Sequence, residues 1–193
     1  QCLKKSKELA QNEKTSGDII DRLINEQDVD IRKAVAVHPN ISSYSLTILA
    51  NDSHDRIRES VAKNKKTTSD VLKKLSKDQN AYVRSAVAQN PNTDEETLKK
   101  LSKQGTGRRI GVAKNENAPL DILRKLTFDY SKKVRIAVAQ NESTPPEALS
   151  KLALDKESEV RAAAVKNPKT PPKEFWLKKA KSFVEKWESL LTD

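Results

Sequence analysis

The stretch QGTGRRIGVAKN, residues 104–115, concentrates residue types that bind anions. It holds three of the chain's four glycines and two adjacent arginines, Arg108 and Arg109. Glycine-rich backbone and guanidinium groups are both used by proteins to hold phosphate. A dinucleotide-binding loop, however, must follow a strand and open a helix inside a parallel-sheet unit, and the flanking sequence has a helical pattern only. The sequence therefore argues against a nucleotide-binding loop.

The composition narrows the class of partner. The 193 residues carry 37 Lys and Arg against 27 Asp and Glu, a net charge of +10, and only 35% of them are hydrophobic. This basic balance favours an acidic partner, which includes nucleic acid, an anionic membrane surface and an acidic protein. The single cysteine, Cys2, excludes a disulfide within the chain, and no apolar run has the length of a membrane span. We therefore expect a cytoplasmic protein.

A sequence motif of about 26 residues repeats along the chain. Six copies have an arginine, followed six residues later by an asparagine or, once, a histidine, and Asn12 extends the asparagine column to one further copy upstream. The arginine column is Arg32, Arg58, Arg84, Arg109, Arg135 and Arg161, and the asparagine column is His38, Asn64, Asn90, Asn115, Asn141 and Asn167. Apolar residues at helical spacing on either side of the asparagine predict two short helices per copy. We expect seven copies over residues 1–172, with an irregular one near 103–128 that is one residue short.

Turn residues indicate where these helices end and begin. We expect each asparagine to end the first helix, because asparagine tolerates a left-handed backbone and its side chain can satisfy exposed backbone groups at the turn. A threonine follows three residues later and, in most copies, an acid three residues after that, which predicts a capping box for the second helix. The threonines are Thr15, Thr67, Thr93, Thr144 and Thr170. Two short helices per copy, each buried only against its neighbours, predict an all-α fold of the α-solenoid type.

The segment VRIAVAQNESTPPEALSKLALD, residues 134–155, resembles the leucine-rich repeat variant family. The resemblance implies a right-handed superhelix in which α-helices alternate with short 3₁₀ segments. A founding type of this family also carries an amino-terminal cysteine cluster for an iron–sulfur centre. One thiolate cannot hold such a cluster, so that part of the resemblance does not extend to Cys2. We expect no cofactor and no metal site in the sequence given.

The arginine column admits two interpretations. Six stacked arginines could follow a phosphate backbone, but an acid stands six residues before most of them. These acids are Glu26, Asp52, Asp78, Asp129 and Asp155, and Gln104 takes the corresponding place in the irregular copy. An acid and a base in fixed register favour a ladder of charge pairs between copies.

In the irregular copy, Arg108 replaces an isoleucine or valine and Gly111 replaces a residue that is usually alanine. Together with the missing residue, these changes predict a bend or break in the solenoid. Exposed backbone N–H groups and Arg108 could meet an anion there, which makes Gly105, Gly107 and Arg108 candidate anion contacts.

The second helices carry a basic column between their paired apolar positions. Its members are Arg22, Lys74, Lys100, Lys125 and Lys151. The column is either a basic stripe that binds an acidic partner or a solvated face that keeps the protein soluble. We expect a non-enzymatic scaffold that binds an acidic protein surface. Nucleic acid is the alternative, although the stripe lacks aromatic residues on which bases could stack.

Residues 173–193 break the repeat. Their apolar residues share one helical stripe, formed by Trp176, Ala180, Phe183, Trp187 and Leu190. This pattern predicts an amphipathic helix that caps the solenoid, with a docking surface for a partner as the alternative. No spacing resembles a metal site or a catalytic triad, so we expect no enzyme. One enzyme alternative is a HEAT-like DNA glycosylase, which needs an acid and aromatic residues on a concave face.

Overall fold

The computed structural model describes residues 2–175, and these residues form helices without a strand. First helices of nine or ten residues alternate with second helices of six or seven. In chain order they are α1 (Cys2–Gln11), α2 (Gly17–Arg22), α3 (Val29–Val37), α4 (Ser43–Leu49), α5 (Asp55–Lys63), α6 (Ser69–Leu75), α7 (Ala81–Gln89), α8 (Glu95–Leu101), α9 (Thr106–Lys114), α10 (Leu120–Leu126), α11 (Lys132–Gln140), α12 (Pro146–Leu152) and α13 (Ser158–Lys166). A 3₁₀ helix, Leu23–Asn25, directly follows α2. The second helices are therefore mainly α-helical, whereas the resemblance implied 3₁₀ segments.

The chain divides into two units, residues 1–115 and residues 116–193. In the first unit, successive first helices stack side by side, so that α3, α5, α7 and α9 each pack on the first helix of the preceding copy. In the second unit, α11 packs on α13, and α12 contacts both of them. The number of copies and the boundary at residue 172 stay predictions. The expected capping helix with Trp176 and Trp187 lies outside the described residues.

The apolar columns seen in the sequence form the core of each unit. In α7, Val83 and Val87 are fully buried, and the second helix α8 contributes Leu98 and Leu101. Residues three and four apart lie on one face of a helix, so each short helix buries a single stripe against its neighbours. A helix of seven to nine residues is unstable alone, and this packing is what stabilises it. The prediction of an all-α solenoid of short helix pairs is confirmed.

The asparagine column joins neighbouring copies, but its backbone is not left-handed. Asn64, Asn90 and Asn167 have extended conformations with φ of −71°, −73° and −73°, and no non-glycine residue in the described chain has a positive φ. The side-chain amide of Asn90 donates to the carbonyl oxygens of Ala62 and Asn64 in the preceding copy. The prediction that these side chains satisfy backbone groups at the turns is therefore confirmed for Asn90, whereas the backbone is extended and not left-handed.

His38 replaces asparagine in this column and has the same structural role. Its Nδ1 accepts from the backbone N–H of Asn40 at 3.0 Å, and its Nε2 lies 3.0 Å from the carbonyl oxygen of Asn12. A backbone N–H can only donate, so Nδ1 must be the acceptor and Nε2 must carry the proton. His38 is therefore a buried structural residue and holds two copies together as the asparagines do.

The threonine column lies one residue too early for the predicted capping box. Thr93 is buried, and its hydroxyl donates to the carbonyl oxygen of Val87 at 2.6 Å. The following residue, Asp94, is the N-cap of α8 and accepts from the backbone N–H of Thr97 at 2.7 Å. The prediction was wrong because the threonine hydroxyl bonds back to the first helix. It thereby fixes the turn between the two helices of one copy.

Candidate functional site

The arginine column forms internal charge pairs, as the register predicted. Arg58 shows the arrangement: its Nε and Nη2 donate to the two carboxylate oxygens of Asp78 at 2.6 and 3.1 Å. Its Nη1 donates to the backbone carbonyl oxygen of Asp52 at 2.7 Å. The same two-pronged pair joins Arg32 to Asp52 and Arg135 to Asp155. These guanidinium groups hold successive copies together and are not an open binding surface.

The acids of these pairs are held in the ionised form. Burial alone would raise the pKa of Asp78, but hydrogen bonds from Arg58 and from the backbone N–H of Asn80 outweigh it, so the pKa is lowered. Asp52 and Asp155 have lowered pKa values through the same combination of burial, arginine and backbone N–H. The lowered pKa values favour the charged form of these three carboxylates.

The ladder is interrupted at Arg84. Twenty residues after Arg32, Arg58 and Arg135 stands an aspartate, but twenty residues after Arg84 stands Gln104. Arg84 keeps the inner contacts of the column, since its Nη1 donates to the carbonyl oxygens of Asp78 and Gln79. Within the described residues, no carboxylate binds its Nε and Nη2.

Arg108 lies beside this interruption. A methyl group on Gly105 would approach Nη2 of Arg108 to 2.7 Å, so the guanidinium group rests against the backbone next to Gln104. Nε of Arg108 is buried and has no hydrogen-bond partner in the described chain. Burial lowers the pKa of Arg108, and the nearby charges of Arg84 and Arg109 lower it further. The candidate anion contacts Arg108 and Gly105 are thus adjacent to each other.

The glycines of the irregular copy allow α9 to lie close to α7. A Cβ on Gly111 would lie 2.7 Å from Cβ of Ala88, and a Cβ on Gly107 would lie 3.2 Å from Oγ of Ser85. Helix α9 has nine residues, the length of α7. The part of the hypothesis that placed loosening glycines in α9 was therefore wrong, because these glycines serve close packing. The sequence did not predict this role, because a glycine that loosens a helix and a glycine that allows close helix packing look the same in a sequence.

The basic column of the second helices is exposed, and acids are interspersed with it. In the first unit, Nζ of Lys100 lies 2.6 Å from a carboxylate oxygen of Glu96, and the other oxygen of Glu96 lies 3.6 Å from Nζ of Lys73. Lys74 bonds the side-chain amide of Asn51, and Arg22 is exposed at the end of α2. Surface pairs of this kind contribute little to stability, so these side chains can exchange partners.

The second unit continues the pattern with an aromatic contact. Nζ of Lys125 lies 3.7 Å from Asp121, and Arg124 bonds Glu147 at 2.8 Å. Nζ of Lys151 lies 4.6 Å from the centre of the Phe128 ring, and 69% of Phe128 is exposed. Exposed aromatic rings beside a cation are typical of protein interfaces.

Neither a metal site nor a membrane span is found between residues 2 and 175. No three histidine, cysteine, aspartate or glutamate side chains of this part of the chain gather closely enough to hold a metal ion. None of its helices combines the length and the apolar character needed to cross a bilayer.

Comparison with known proteins agrees with the repeat pattern. The family model described as "Leucine rich repeat variant" matches residues 133–157. Among solved structures, the chain is similar to "a leucine-rich repeat variant with a novel repetitive protein structural motif", with 23% identity over 80% of this chain and 73% of that one and a TM-score of 0.36. No curated protein matches the chain. The match of the family model confirms the resemblance to the leucine-rich repeat variant family at residues 133–157.

Proposed function

We propose that the chain is a non-enzymatic repeat scaffold that binds an acidic protein surface through the basic column of its second helices. The observation that carries this proposal is the mixed character of that column. Lys100 and Lys125 are exposed, yet each lies within 4 Å of a carboxylate on its own helix. A protein surface with charges of both signs can match such a pattern by exchanging ion pairs, and the net charge of +10 favours an acidic partner.

The same pattern counts against nucleic acid. A phosphate backbone presents one charge repeatedly, so Glu96 and Glu147 would repel it at the positions where neighbouring cations attract it. The ring of Phe128 is a single exposed aromatic side chain with a cation, Lys151, 4.6 Å from its centre, which suits one side-chain contact better than the stacking of successive bases. These features favour the protein partner over the alternative.

The test uses a charge-reversed variant with a matched control. Lys74, Lys100 and Lys125 are changed together to glutamate. The control changes Lys33, Lys114 and Lys133, which are exposed on first helices, and gives the same change in net charge. Immobilised protein is incubated with nuclease-treated lysate at about 0.05 and 0.3 M salt. We expect a specific protein to be retained by the wild type and the control, lost by the column variant, and released by salt.

Two other outcomes would replace the proposal. If the wild type shifts duplex or single-stranded nucleic acid at moderate salt and only the column variant fails to do so, the partner is nucleic acid. If the protein releases a free base from alkylated DNA, the scaffold is a glycosylase. Equal capture by the column variant and the control would show that net charge, and not the column, determines binding.

A further inference from the structure

The interruption of the arginine ladder leaves an arginine fork without its acid. In the first unit, Arg32 and Arg58 each direct Nε and Nη2 to an aspartate of the next copy, at distances from 2.6 to 3.3 Å. Arg84 occupies the same column and makes the same inner contacts with backbone carbonyl groups. Within the described residues, its Nε and Nη2 bind no carboxylate, and the next copy has Gln104 in place of the aspartate.

Gln104 occupies the position of the missing acid. Its backbone N–H donates to the carbonyl oxygen of Leu101 at 3.0 Å, as the N–H of Asp78 donates to that of Leu75 at 3.0 Å. The chain is therefore still in register at this residue. Within the described residues, no hydrogen bond joins the side chain of Gln104 to Arg84. An amide in this place gives the outer N–H groups of Arg84 no carboxylate to bind.

Arg108 adds a second cation beside the same position. Its guanidinium group lies against Gly105, the neighbour of Gln104, and its buried Nε has no partner. Five other copies place a fully buried isoleucine or valine in this column, namely Ile31, Ile57, Val83, Val134 and Val160. Helix α9 also starts at this point, with no capping side chain and no acid in its first turn. The helix end thus adds positive potential to two half-buried guanidinium groups.

We propose that Arg84 and Arg108 bind an aspartate or glutamate side chain of the partner protein, which takes the place of the aspartate that this copy lacks. The proposal rests on the proposed function, since it assumes an acidic protein partner. The fork of Arg84 would bind the carboxylate as Arg58 binds Asp78, and the positive charge of the Arg108 guanidinium group beside Gln104 would favour that contact further. Both arginine residues are partly exposed, so a carboxylate can approach them from solvent, while Nε of Arg108 stays buried.

The experiment restores the missing acid from within the chain. A fluorescent hexa-aspartate peptide is titrated with the wild type and with Gln104→Asp, and binding is followed by anisotropy. Gln104→Asp supplies the carboxylate internally, so we expect the peptide to bind at least about tenfold more weakly, as for the loss of one charge-assisted pair. Gln27→Glu makes the same change in charge on an exposed residue, and we expect it to bind like the wild type. Arg108→Ile, which restores the apolar core residue, should also weaken binding.

A second readout reports directly on the site. In the wild type, the NMR signal of the Arg108 Nε–H group should shift in a saturable manner on addition of glutarate, and in Gln104→Asp it should not. A shift that saturates at lower concentrations of inorganic phosphate than of glutarate would overturn the carboxylate assignment. If Gln104→Asp binds the peptide as the wild type does and glutarate causes no shift, the site is refuted.

The two proposals fail separately. Loss of peptide binding in the variant of Lys74, Lys100 and Lys125, with unchanged binding in Gln104→Asp, refutes the arginine site and leaves the proposed function in place. If the lysine variant captures the same proteins as the wild type, the proposed function fails. The response of Arg108 to glutarate then still decides whether the site binds a carboxylate.

Discussion

Asn90 provides the most direct test of how neighbouring copies are held together. Its side chain is 3% exposed and forms three hydrogen bonds. Nδ2 donates to the carbonyl oxygens of Ala62 and Asn64 at 2.8 and 2.9 Å, and Oδ1 accepts from the backbone N–H of Asn92 at 2.9 Å. Asn90→Ala removes all three. At about 1 kcal/mol for each bond, we expect the free energy of unfolding to fall by about 3 kcal/mol.

The loss is measured by urea unfolding, monitored by the circular dichroism of the helices. Wild type and variant are compared with the same dependence of the free energy of unfolding on urea concentration. The control is Gln89→Ala, the preceding residue, whose exposed side chain donates one bond of 3.3 Å to Ser85. We expect this control to stay within about 0.5 kcal/mol of the wild type. If Asn90→Ala and Gln89→Ala cost the same, the amide contacts do not stabilise the fold.

Asn90→Asp separates the loss of the donor from the loss of volume. The aspartate has nearly the shape of asparagine, but it places an oxygen opposite two carbonyl oxygens. Repulsion and burial should raise the pKa of this carboxyl in the folded state above its unfolded value of about 3.9. The destabilisation is then smallest below the unfolded pKa and complete above the folded pKa. Equal stability of Asn90→Asp and wild type at neutral pH would contradict the hydrogen-bond geometry.

Three further predictions follow from the same contacts. Gly111→Ala places a methyl group 2.7 Å from Cβ of Ala88, so we expect a loss of about 1–3 kcal/mol in urea unfolding, and an unchanged midpoint would argue against close packing of α9 on α7. His38→Asn should keep most of the stability that His38→Ala loses, because an amide supplies the same donor and acceptor. The lowered pKa of Asp78 means that its pair with Arg58 stabilises the fold fully above the unfolded pKa and is lost as pH falls through the folded pKa. Asp78→Asn should therefore flatten the acid limb of stability against pH, and an equally steep acid limb in the variant would contradict this.

The repeat made much of the fold predictable. Comparison of copies identified the two helices of each copy and the buried apolar columns, since a stripe such as Val83 and Val87 recurs at helical spacing. It also predicted the pairing of arginine with aspartate, because a charge pair between copies requires a fixed separation. The separation of 20 residues between Arg58 and Asp78 meets that requirement.

Side-chain direction was not predictable from the columns. The threonine of each turn is a good N-cap residue, but α8 begins one residue later than the box requires, so Asp94 is the N-cap and the hydroxyl of Thr93 donates to the first helix. The asparagine column was correctly predicted to bond backbone groups at the turns, but the bond of Asn90 to Ala62 in the preceding copy depends on the distance between copies. The acids near Lys100 and Lys125 can be read from the sequence. That they form ion pairs with these lysines on the exposed side of the second helices is seen only in the structure.

The features of the irregular copy have a common physical cause. Elsewhere the acid of the ladder accepts both the arginine fork and the backbone N–H two residues later, as Asp78 does from Asn80 at 2.8 Å. In the irregular copy the N-cap, Gly105, follows Gln104 directly, so this turn is missing and an acid here would lose one of its two supports. The missing residue thus reduces the loss of stability caused by the missing acid, and the missing acid leaves Nε and Nη2 of Arg84 without a carboxylate.

If the irregular copy were only a destabilised repeat, an apolar residue at the next core position would be expected, because it would keep the loss of stability small. Arg108 instead adds a second cation with a buried, unsatisfied donor, at a cost of about 1–3 kcal/mol. Both replacements lower stability and both increase the positive charge at the same place. Destabilising residues that share one such effect are characteristic of a binding site.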